Sequence, residues 1–257
     1  MKKTVALLFF LVSGVISHAQ HVVKIHSHND YEQRIPFWDA FSAGAKSIEA
    51  DVFLKDGKLL VAHEEENIDS KRTLETMYLL PLKRVQQMCG DGFLDFQLMI
   101  DVKTEAYTTL DAIIGLLEGY KTYLKPYNKR GVSVVISGSR PKEKDYNDYP
   151  RFISFDCQDV STMPKEAWKR VAMISTGFHR LSDWNGVDTL KSEDSIAVKK
   201  YIDQAKKFSK PIRFWATPDT EKAWDILLRM GVDFVNTDYP HKVQIHFRTN
   251  NFPDKKK

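Results

Sequence analysis

Hydrophobic and polar residues alternate in short segments that recur along the chain, and these segments predict strands. Eight of them are rich in β-branched and apolar residues: 22–28, 47–54, 96–103, 131–138, 152–156, 171–178, 211–217 and 233–238. Between most of these strands, apolar residues recur at spacings of three and four, which is typical of a helix with one buried face. The predicted helices are 35–45, 73–88, 108–124, 192–208 and 220–230.

Strands that alternate with helices favour a parallel sheet, because parallel neighbours need long crossover connections. We predict an α/β fold in which the sheet closes as a (β/α)8 TIM barrel, and an open doubly wound sheet is the alternative. The polar residues decide for the barrel. They fall at or near the carboxyl ends of the strands, where active sites of such barrels collect: His28, Asp51, Lys103, Ser137, Asp156, Trp215 and Asp238.

A small hairpin is predicted directly after the second strand. Asp56 and Gly57 interrupt an apolar run, and Asp-Gly is a strong signal for a two-residue hairpin turn. Residues 58–62 would then form the return strand. Such an insertion folds back over the barrel and would bring His63 towards the carboxyl ends of the strands.

Three of the predicted strands each carry two polar side chains at alternate positions. The pairs are His26 with His28, Glu49 with Asp51, and Asp101 with Lys103. In an extended strand, residues i and i+2 share a face, so each pair points the same way. Several carboxylates buried together need a cation, because isolated buried charges are very unfavourable. We therefore expect an active site where the pairs meet.

The residue types indicate phosphodiester chemistry. Three carboxylates, Glu49, Asp51 and Asp101, form an oxygen-only ligand set that suits one divalent cation, Mg²⁺ or Ca²⁺. His28 and His63 titrate near neutral pH in their unperturbed state and so suit a general base and a general acid. Lys103 would offset the charge of a phosphate. Together these groups predict hydrolysis of a phosphodiester.

Two further residues near these groups have simpler interpretations. We expect His26 to support the site rather than act in it. On composition alone, Trp215 belongs to the core. We assign His179, His241 and His246 to surface or loop positions.

The amino terminus has the features of a secretory signal peptide. Two lysines precede an apolar run from Val5 to Ile16, and small residues precede a plausible cleavage site after Ala19. The run is too short to span a membrane. We expect residues 1–19 to be removed and 20–257 to form a single secreted or periplasmic domain without a transmembrane segment.

The charge of the mature chain excludes one class of partner. Without Lys2 and Lys3, 36 basic side chains face 34 acidic ones. Such a balance gives no electrostatic basis for nucleic-acid binding, and the lysines at 255–257 are typical of a solvated tail. The expected partner is a small-molecule or lipid-derived phosphodiester.

The order of the motifs resembles the glycerophosphodiester phosphodiesterases of the PLC-like phosphodiesterase superfamily. The matching segments include Ser47-Ile-Glu-Ala-Asp-Val, Met99-Ile-Asp-Val-Lys and Gly231-Val-Asp-Phe-Val-Asn-Thr-Asp-Tyr-Pro. The opening His26-Ser-His-Asn-Asp-Tyr is most similar to the altered inheritance of mitochondria protein family and its bacterial relatives.

The resemblance implies a role for each matching residue. Glu49, Asp51 and Asp101 would bind the cation, His28 and His63 would be the catalytic pair, Lys103 would contact phosphate and Trp215 would line the substrate pocket near the leaving group. One position departs from the family. Asn29 stands where these enzymes usually carry an arginine, so an uncharged amide would contact the phosphate.

Two other functions remain open. A His-x-His pair at the end of a first barrel strand also occurs in metal-dependent amidohydrolases, where His26 and His28 would bind a transition metal together with His179 and Asp238. Alternatively, the barrel binds a phosphodiester or lipid without catalysing its hydrolysis.

Overall fold

The structure is a computed structural model that describes residues 23–249. The predicted signal peptide, 1–19, and the terminal lysines, 255–257, lie outside the described residues.

Within residues 23–249, eight parallel strands close into a barrel, as the sequence predicts. The parallel strands are β1 (Lys24–Ser27), β2 (Ser47–Lys55), β4 (Gln97–Val102), β5 (Ser133–Gly138), β6 (Ile153–Cys157), β7 (Val171–Gly177), β8 (Ile212–Trp215) and β9 (Phe234–Thr237), and β3 (Lys58–Val61) is antiparallel to β2. The order around the barrel is β1-β9-β8-β7-β6-β5-β4-β2, and β2 pairs with β1 to close it. The TIM-barrel prediction is confirmed.

Alternation along the strands separates the core outside the barrel from the barrel interior. On β2, Ile48, Ala50 and Val52 are fully buried in the core between the sheet and the helices, whereas Glu49 and Asp51 belong to the opposite face. A small apolar layer of Met99, Val135, Met173 and Phe234 occupies the interior. Met99 lies two residues before Asp101 on β4, so this layer underlies the polar groups at the carboxyl ends.

Helices cover the outside of the barrel. The α-helices are α1 (Trp38–Ser42), α2 (Leu80–Cys89), α3 (Ala106–Glu118), α4 (Ser192–Lys206), α5 (Glu221–Met230) and α6 (Pro240–Thr249). A π-helical turn, Glu75–Leu79, leads directly into α2. The connections from β5 to β6 and from β6 to β7 contain 3-10 helices instead, Glu143–Asp148 and Lys165–Arg170.

The helix α6 was not predicted, and its position corrects the assignment of His246. This side chain was expected at the surface, but it is buried and its Nε2 lies 3.0 Å from Asp225 Oδ1 on α5. Val243, His246 and Phe247 follow the three and four spacing of a helix face, and they pack inward as the last helix covers the barrel.

The predicted hairpin after the second strand is present. Asp56 and Gly57 both have positive φ angles, 49° and 72°, as a two-residue turn with the twist of a hairpin requires. In the returning chain, the Ala62 amide donates to the Asp51 carbonyl at 3.3 Å. This bond places the next residue, His63, beside the end of β2.

The described helices are all too short or too polar to cross a bilayer; this holds for residues 23–249.

Candidate active site

One cavity of about 540 Å³ opens at the carboxyl ends of the strands. It is lined by all eight side chains for which the sequence predicts a catalytic, metal-binding or substrate-binding role: His28, Asn29, Glu49, Asp51, His63, Asp101, Lys103 and Trp215. Segments far apart in the chain meet here because the barrel brings the ends of β1, β2, β4 and β8 to one rim. Arg213, Ser137 and Gln158 also line the cavity.

The three predicted metal ligands converge. Ligand oxygens of Glu49, Asp51 and Asp101 all lie within 4.8 Å of one another. Asp51 and Asp101 are direct neighbours in the parallel register of β2 and β4, and Glu49 lies one step lower on the same face.

The trio fits a hard divalent cation. The Asp51 side chain is buried, and its Oδ1 has no hydrogen-bond partner within the described part of the chain. A buried carboxylate oxygen without a donor is unfavourable, and a cation would satisfy it. Carboxylate oxygens are the ligands that Mg²⁺ and Ca²⁺ prefer.

A buried arginine and a buried histidine hold Glu49 from below. Arg213 Nη1 and His26 Nε2 each lie 2.6 Å from Glu49 Oε2. Burial alone would raise the pKa of Glu49, but Arg213 and then His26 outweigh it and hold that pKa well below its usual range. Glu49 is therefore ionised at neutral pH.

His26 is a neutral support, as the sequence indicated. Burial and the Arg213 charge lower the pKa of His26 to about 3. Its Nε2 lies 2.6 Å from Glu49 Oε2 and also contacts Arg213 Nη1, and its Nδ1 lies 2.7 Å from the Ser47 hydroxyl oxygen. The Ser47 oxygen in turn accepts from Gln97 Nε2 at 3.0 Å. Both ring nitrogens of His26 are thus occupied within the protein.

The other two carboxylates are less well compensated. Burial, followed by the Glu49 charge, raises the pKa of Asp101 to about 7 and also raises the pKa of Asp51. Lys103 opposes this rise: its Nζ lies 2.9 Å from Asp51 Oδ2 and 3.6 Å from Asp101 Oδ1. Burial would lower the pKa of Lys103, but these carboxylates outweigh it, so the pKa is raised and the amine stays charged.

His28 forms a hydrogen-bonded pair with Asp238. Its Nδ1 lies 2.8 Å from Asp238 Oδ1 in the loop after β9, and a quarter of the His28 side chain is exposed. Because a carboxylate only accepts, Nδ1 carries the proton and Nε2 is left to exchange one in the cavity. Burial lowers the pKa of His28, but the bond to Asp238 and the Glu49 charge outweigh it and raise that pKa.

Tyr31 joins His63 to the rest of the site. Its hydroxyl lies 2.7 Å from both Asp51 Oδ2 and Asn29 Oδ1, and 2.9 Å from His63 Nδ1. The single hydroxyl proton goes to one of these oxygens, so a lone pair remains for His63. Asp51 Oδ2, 3.3 Å from the same ring nitrogen, also only accepts. His63 therefore keeps its proton on Nδ1 and exchanges protons through Nε2.

The sequence did not identify Tyr31 and Arg213 as functional. The sequence does carry a signal for Arg213. Arg213 and Trp215 lie at alternate positions of β8, as do the polar pairs of the other strands that predict the site. Tyr31 had no such signal. It belongs to a 3-10 turn, Asp30–Glu32, and its role depends on where that turn places its hydroxyl.

The amidohydrolase alternative lacks its ligands. His26 binds Ser47 and Glu49, and His179 is exposed with its ring packed at 5.1 Å against Trp215. Within residues 23–249, the one group of three or more side chains arranged to hold a metal is Glu49, Asp51 and Asp101.

The fold and the site define the class of protein, a barrel of the PLC-like phosphodiesterase type. Residues 15–156 match the family described as AIM6-like phosphodiesterase domain, and residues 211–241 match the glycerophosphoryl diester phosphodiesterase family. Because the first match spans more than half of the chain, the protein belongs to the AIM6-like phosphodiesterase domain family. The resemblance inferred from the motifs is confirmed.

Known proteins agree with this placement. The altered inheritance of mitochondria protein 6 homolog of Arthroderma benhamiae is 29% identical over 265 residues, covering 84% of this chain and 81% of the relative. Altered inheritance of mitochondria protein 6 of Eremothecium gossypii is 26% identical, covering 84% and 67%. A solved glycerophosphodiester phosphodiesterase from Agrobacterium tumefaciens has a TM-score of 0.51 at 16% identity, covering 89% of this chain and 100% of that chain. This last likeness shows a shared fold.

We expect Gly138→Ala to disrupt the carboxylate trio. Gly138 has a positive φ of 67°, and a Cβ atom there would lie 1.9 Å from Asp101 Oδ1 and 2.4 Å from the Val102 carbonyl. The Asp101 carboxylate must move, which should weaken Mg²⁺ or Ca²⁺ binding by about 10- to 100-fold, as other changes beside metal ligands do. Titration calorimetry measures the affinity.

The matched control is Gly115→Ala in α3, where a Cβ atom meets nothing within 4 Å. This variant should bind the cation normally. Circular dichroism would show that both variants are folded, and an unchanged cation affinity in folded Gly138→Ala would contradict the prediction.

Proposed function

We propose that the protein is an exported phosphoric diester hydrolase that depends on one divalent cation and acts on a glycerophosphodiester or a (lyso)phospholipid-type substrate. The observation that carries the proposal is the carboxylate trio with an unpartnered Asp51 oxygen, lying in one cavity with the imidazoles of His28 and His63, each of which is held through its Nδ1. The family membership supports phosphodiester cleavage.

Glu49, Asp51 and Asp101 would hold the cation, Mg²⁺ or Ca²⁺. When bound, it supplies positive charge that stabilises the non-bridging oxygens of the phosphate. The chain adds its own charge, because the Lys103 amine lines the same cavity and stays protonated. The Asn29 amide adds an uncharged donor. Its Oδ1 lies 2.7 Å from the Tyr31 hydroxyl, which leaves the Asn29 NH₂ group to donate.

The two histidines have complementary tasks. In its neutral form, His28 takes a proton at Nε2 from the attacking hydroxyl, and Asp238 stabilises the imidazolium that results. His63 donates from Nε2 to the departing alcohol, while its Nδ1–H continues to donate to the Tyr31 and Asp51 oxygens. Trp215 lines the cavity and would contact the substituent of the phosphate.

A panel of phosphodiesters, assayed with Mg²⁺ or Ca²⁺ and again with a chelator, tests the proposal. We expect turnover that the chelator abolishes. Asp51→Asn should lose activity together with cation affinity, whereas His28→Ala should bind the cation normally and lose activity by about 10²- to 10⁴-fold, the usual contribution of a general base.

Two results would overturn this assignment. Near-normal rates in His28→Ala would remove that histidine from the mechanism. If the wild-type protein binds the cation and phosphodiesters but hydrolyses none of them, the non-catalytic barrel is the correct interpretation.

The role of His63 predicts a dependence on the leaving group. His63→Ala should slow the hydrolysis of alkyl diesters by about 10²- to 10⁴-fold, but p-nitrophenyl diesters only slightly, because p-nitrophenolate departs without a proton. Tyr31→Phe should show the same preference with a smaller loss of about 10-fold, since one hydrogen bond to the ring is removed.

The control for Tyr31 is Tyr127→Phe, at an exposed side chain outside the cavity. It should leave both rates unchanged. Equal losses on both substrate types in His63→Ala would argue against a general acid.

Export is also testable. If residues 1–19 are a signal peptide, the protein recovered from outside the cytoplasm should begin at Gln20, which amino-terminal sequencing would show. A mature protein that still begins at Met1 would contradict this part of the proposal.

A further inference from the structure

Two charged side chains beside Tyr31 have no part in the proposed chemistry. Asp30 is fully buried and Arg72 is half-buried, and neither forms an ion pair within residues 23–249. Asp30 binds a hydroxyl and a backbone amide instead, and Arg72 binds a backbone carbonyl. A buried carboxylate without a cation is unfavourable. These contacts therefore do something other than neutralise charge.

Both contacts meet at the turn that carries Tyr31. This turn, Asp30–Glu32, is a single 3-10 turn closed by two backbone hydrogen bonds of 2.8 and 3.0 Å. A turn of this length is not stable alone, because ordering its residues costs more than so few bonds return. The position of the Tyr31 hydroxyl thus depends on contacts between the turn and the rest of the chain.

Asp30 joins the chain before the turn to the chain after it. Its Oδ1 accepts from the Ser27 hydroxyl at 3.0 Å, and its Oδ2 accepts from the Phe37 amide at 2.6 Å. Phe37 has a positive φ of 66°, which bulky residues rarely adopt, and the bond to Asp30 helps to hold it there. Burial raises the pKa of Asp30 to about 6, although the bonds from Phe37 and Ser27 oppose the rise.

Arg72 connects the same turn to the hairpin that leads to His63. Its Nη2 donates to the Tyr31 carbonyl, and its own carbonyl accepts from the Val61 amide at 2.8 Å. Val61 is the last residue of β3, two positions before His63. Arg72 therefore fixes the backbone of Tyr31 relative to the strand that places His63.

The pair that these contacts bring together has a defined geometry. The Tyr31 hydroxyl lies 2.9 Å from His63 Nδ1, closer than Asp51 Oδ2 at 3.3 Å, and the two rings are stacked with their planes 22° apart. His63 is about half exposed, whereas Tyr31 is buried. A half-exposed side chain keeps rotamer freedom, so the orientation of the imidazole depends on a fixed partner. Tyr31 is this partner.

We propose that Asp30 and Arg72 are positioning residues for His63. They hold Tyr31 where its hydroxyl keeps the His63 ring, protonated on Nδ1, turned to give its Nε2 proton to the departing alcohol. This inference rests on the proposed function. It adds two residues that do not line the active-site cavity.

The test of Arg72 is Arg72→Met, which keeps most of the length of the side chain but removes the donor to the Tyr31 carbonyl. Arg34→Met is the matched control. Arg34 lines the same surface cavity of about 440 Å³ as Arg72, but it is exposed and forms no hydrogen bond or ion pair with another described residue.

The test of Asp30 is Asp30→Asn, which replaces one acceptor oxygen with a donor while the partners Ser27 and Phe37 still need acceptors. Asp39→Asn is its control. Asp39 accepts from the Ile35 amide at 3.1 Å, so this change removes a carboxylate from the same segment without touching Tyr31.

Arg72→Met and Asp30→Asn should each lower kcat/KM for alkyl diesters about 3- to 10-fold, because the hydrogen bond between Tyr31 and the His63 ring is weakened. The values for p-nitrophenyl diesters should change by less than about twofold, since that leaving group departs without a proton. Both controls should match the wild type on both substrate types.

A His63→Ala background separates positioning from a general loss of stability. Residues that act through one group are not additive, so neither Arg72→Met nor Asp30→Asn should lower the rate on alkyl diesters further once His63 is absent. A variant that merely loosens the fold would slow both substrate types and would add to the effect of His63→Ala. Circular dichroism shows which variants are folded.

The failures of the two proposals are distinguishable. Equal losses on alkyl and p-nitrophenyl diesters, no loss on either, or a further loss in the His63→Ala background would overturn the positioning role and leave the hydrolase intact. If no diester is hydrolysed, the proposed function fails, and ¹⁵N NMR of the neutral His63 ring still tests the positioning. The share of the Nδ1–H tautomer should fall in Arg72→Met but not in Arg34→Met, and an unchanged share in Arg72→Met would overturn the inference.

Discussion

An imbalance of charge governs the centre of this barrel. Three carboxylates share a volume less than 5 Å across, and two cationic side chains, Arg213 and Lys103, are close enough to compensate them. Arg213 neutralises Glu49 almost alone, because it is buried against that carboxylate and away from water. The remaining negative charge falls on Asp51 and Asp101, and burial together with the Glu49 charge raises the pKa of Asp101 to about 7. A divalent cation, as proposed above, would supply the missing positive charge, because three carboxylates buried together carry an electrostatic penalty that Arg213 and Lys103 do not fully offset.

Depth in the barrel separates supporting residues from reactive ones. His26 and His28 lie on the same face of one strand, two residues apart, yet His26 is fully buried and neutral whereas His28 reaches the cavity. Arg213 and Trp215 are arranged in a similar way on β8, where the lower residue is buried against Glu49 at the floor of the cavity and the upper one lines the cavity. On β1 and β8, the lower group thus contacts the Glu49 carboxylate and the upper group lies nearer the opening of the barrel. The lower groups depend on the apolar layer of Met99, Val135, Met173 and Phe234, which closes the barrel beneath them.

Strand periodicity explains why so much of the site could be predicted. Alternation along a strand is a local property, so Glu49, Asp51 and Asp101 were recognisable from spacing alone, and the Asp-Gly turn located His63. The order of the strands around the barrel then brought them together. Contacts made by irregular segments could not be predicted in this way. Tyr31 lies in a 3-10 turn, which has no periodic sequence pattern. The burial of His246 depends on its packing in α6, a helix that is not among those predicted from the sequence.

Asn29 links the active site to the question of specificity. Where related phosphodiesterases usually carry an arginine, this chain has an asparagine. The Asn29 backbone is left-handed, with φ 46° and ψ 41°, and its side-chain Oδ1 lies 2.7 Å from the Tyr31 hydroxyl. Under the proposed function, an amide would bring no charge to the phosphate, so a smaller share of the binding energy would come from the group that all phosphodiesters have in common. Selective binding would then have to come from the substituents of the phosphate, because hydrogen bonds to a substituent discriminate between substrates in a way that a charge on phosphate does not.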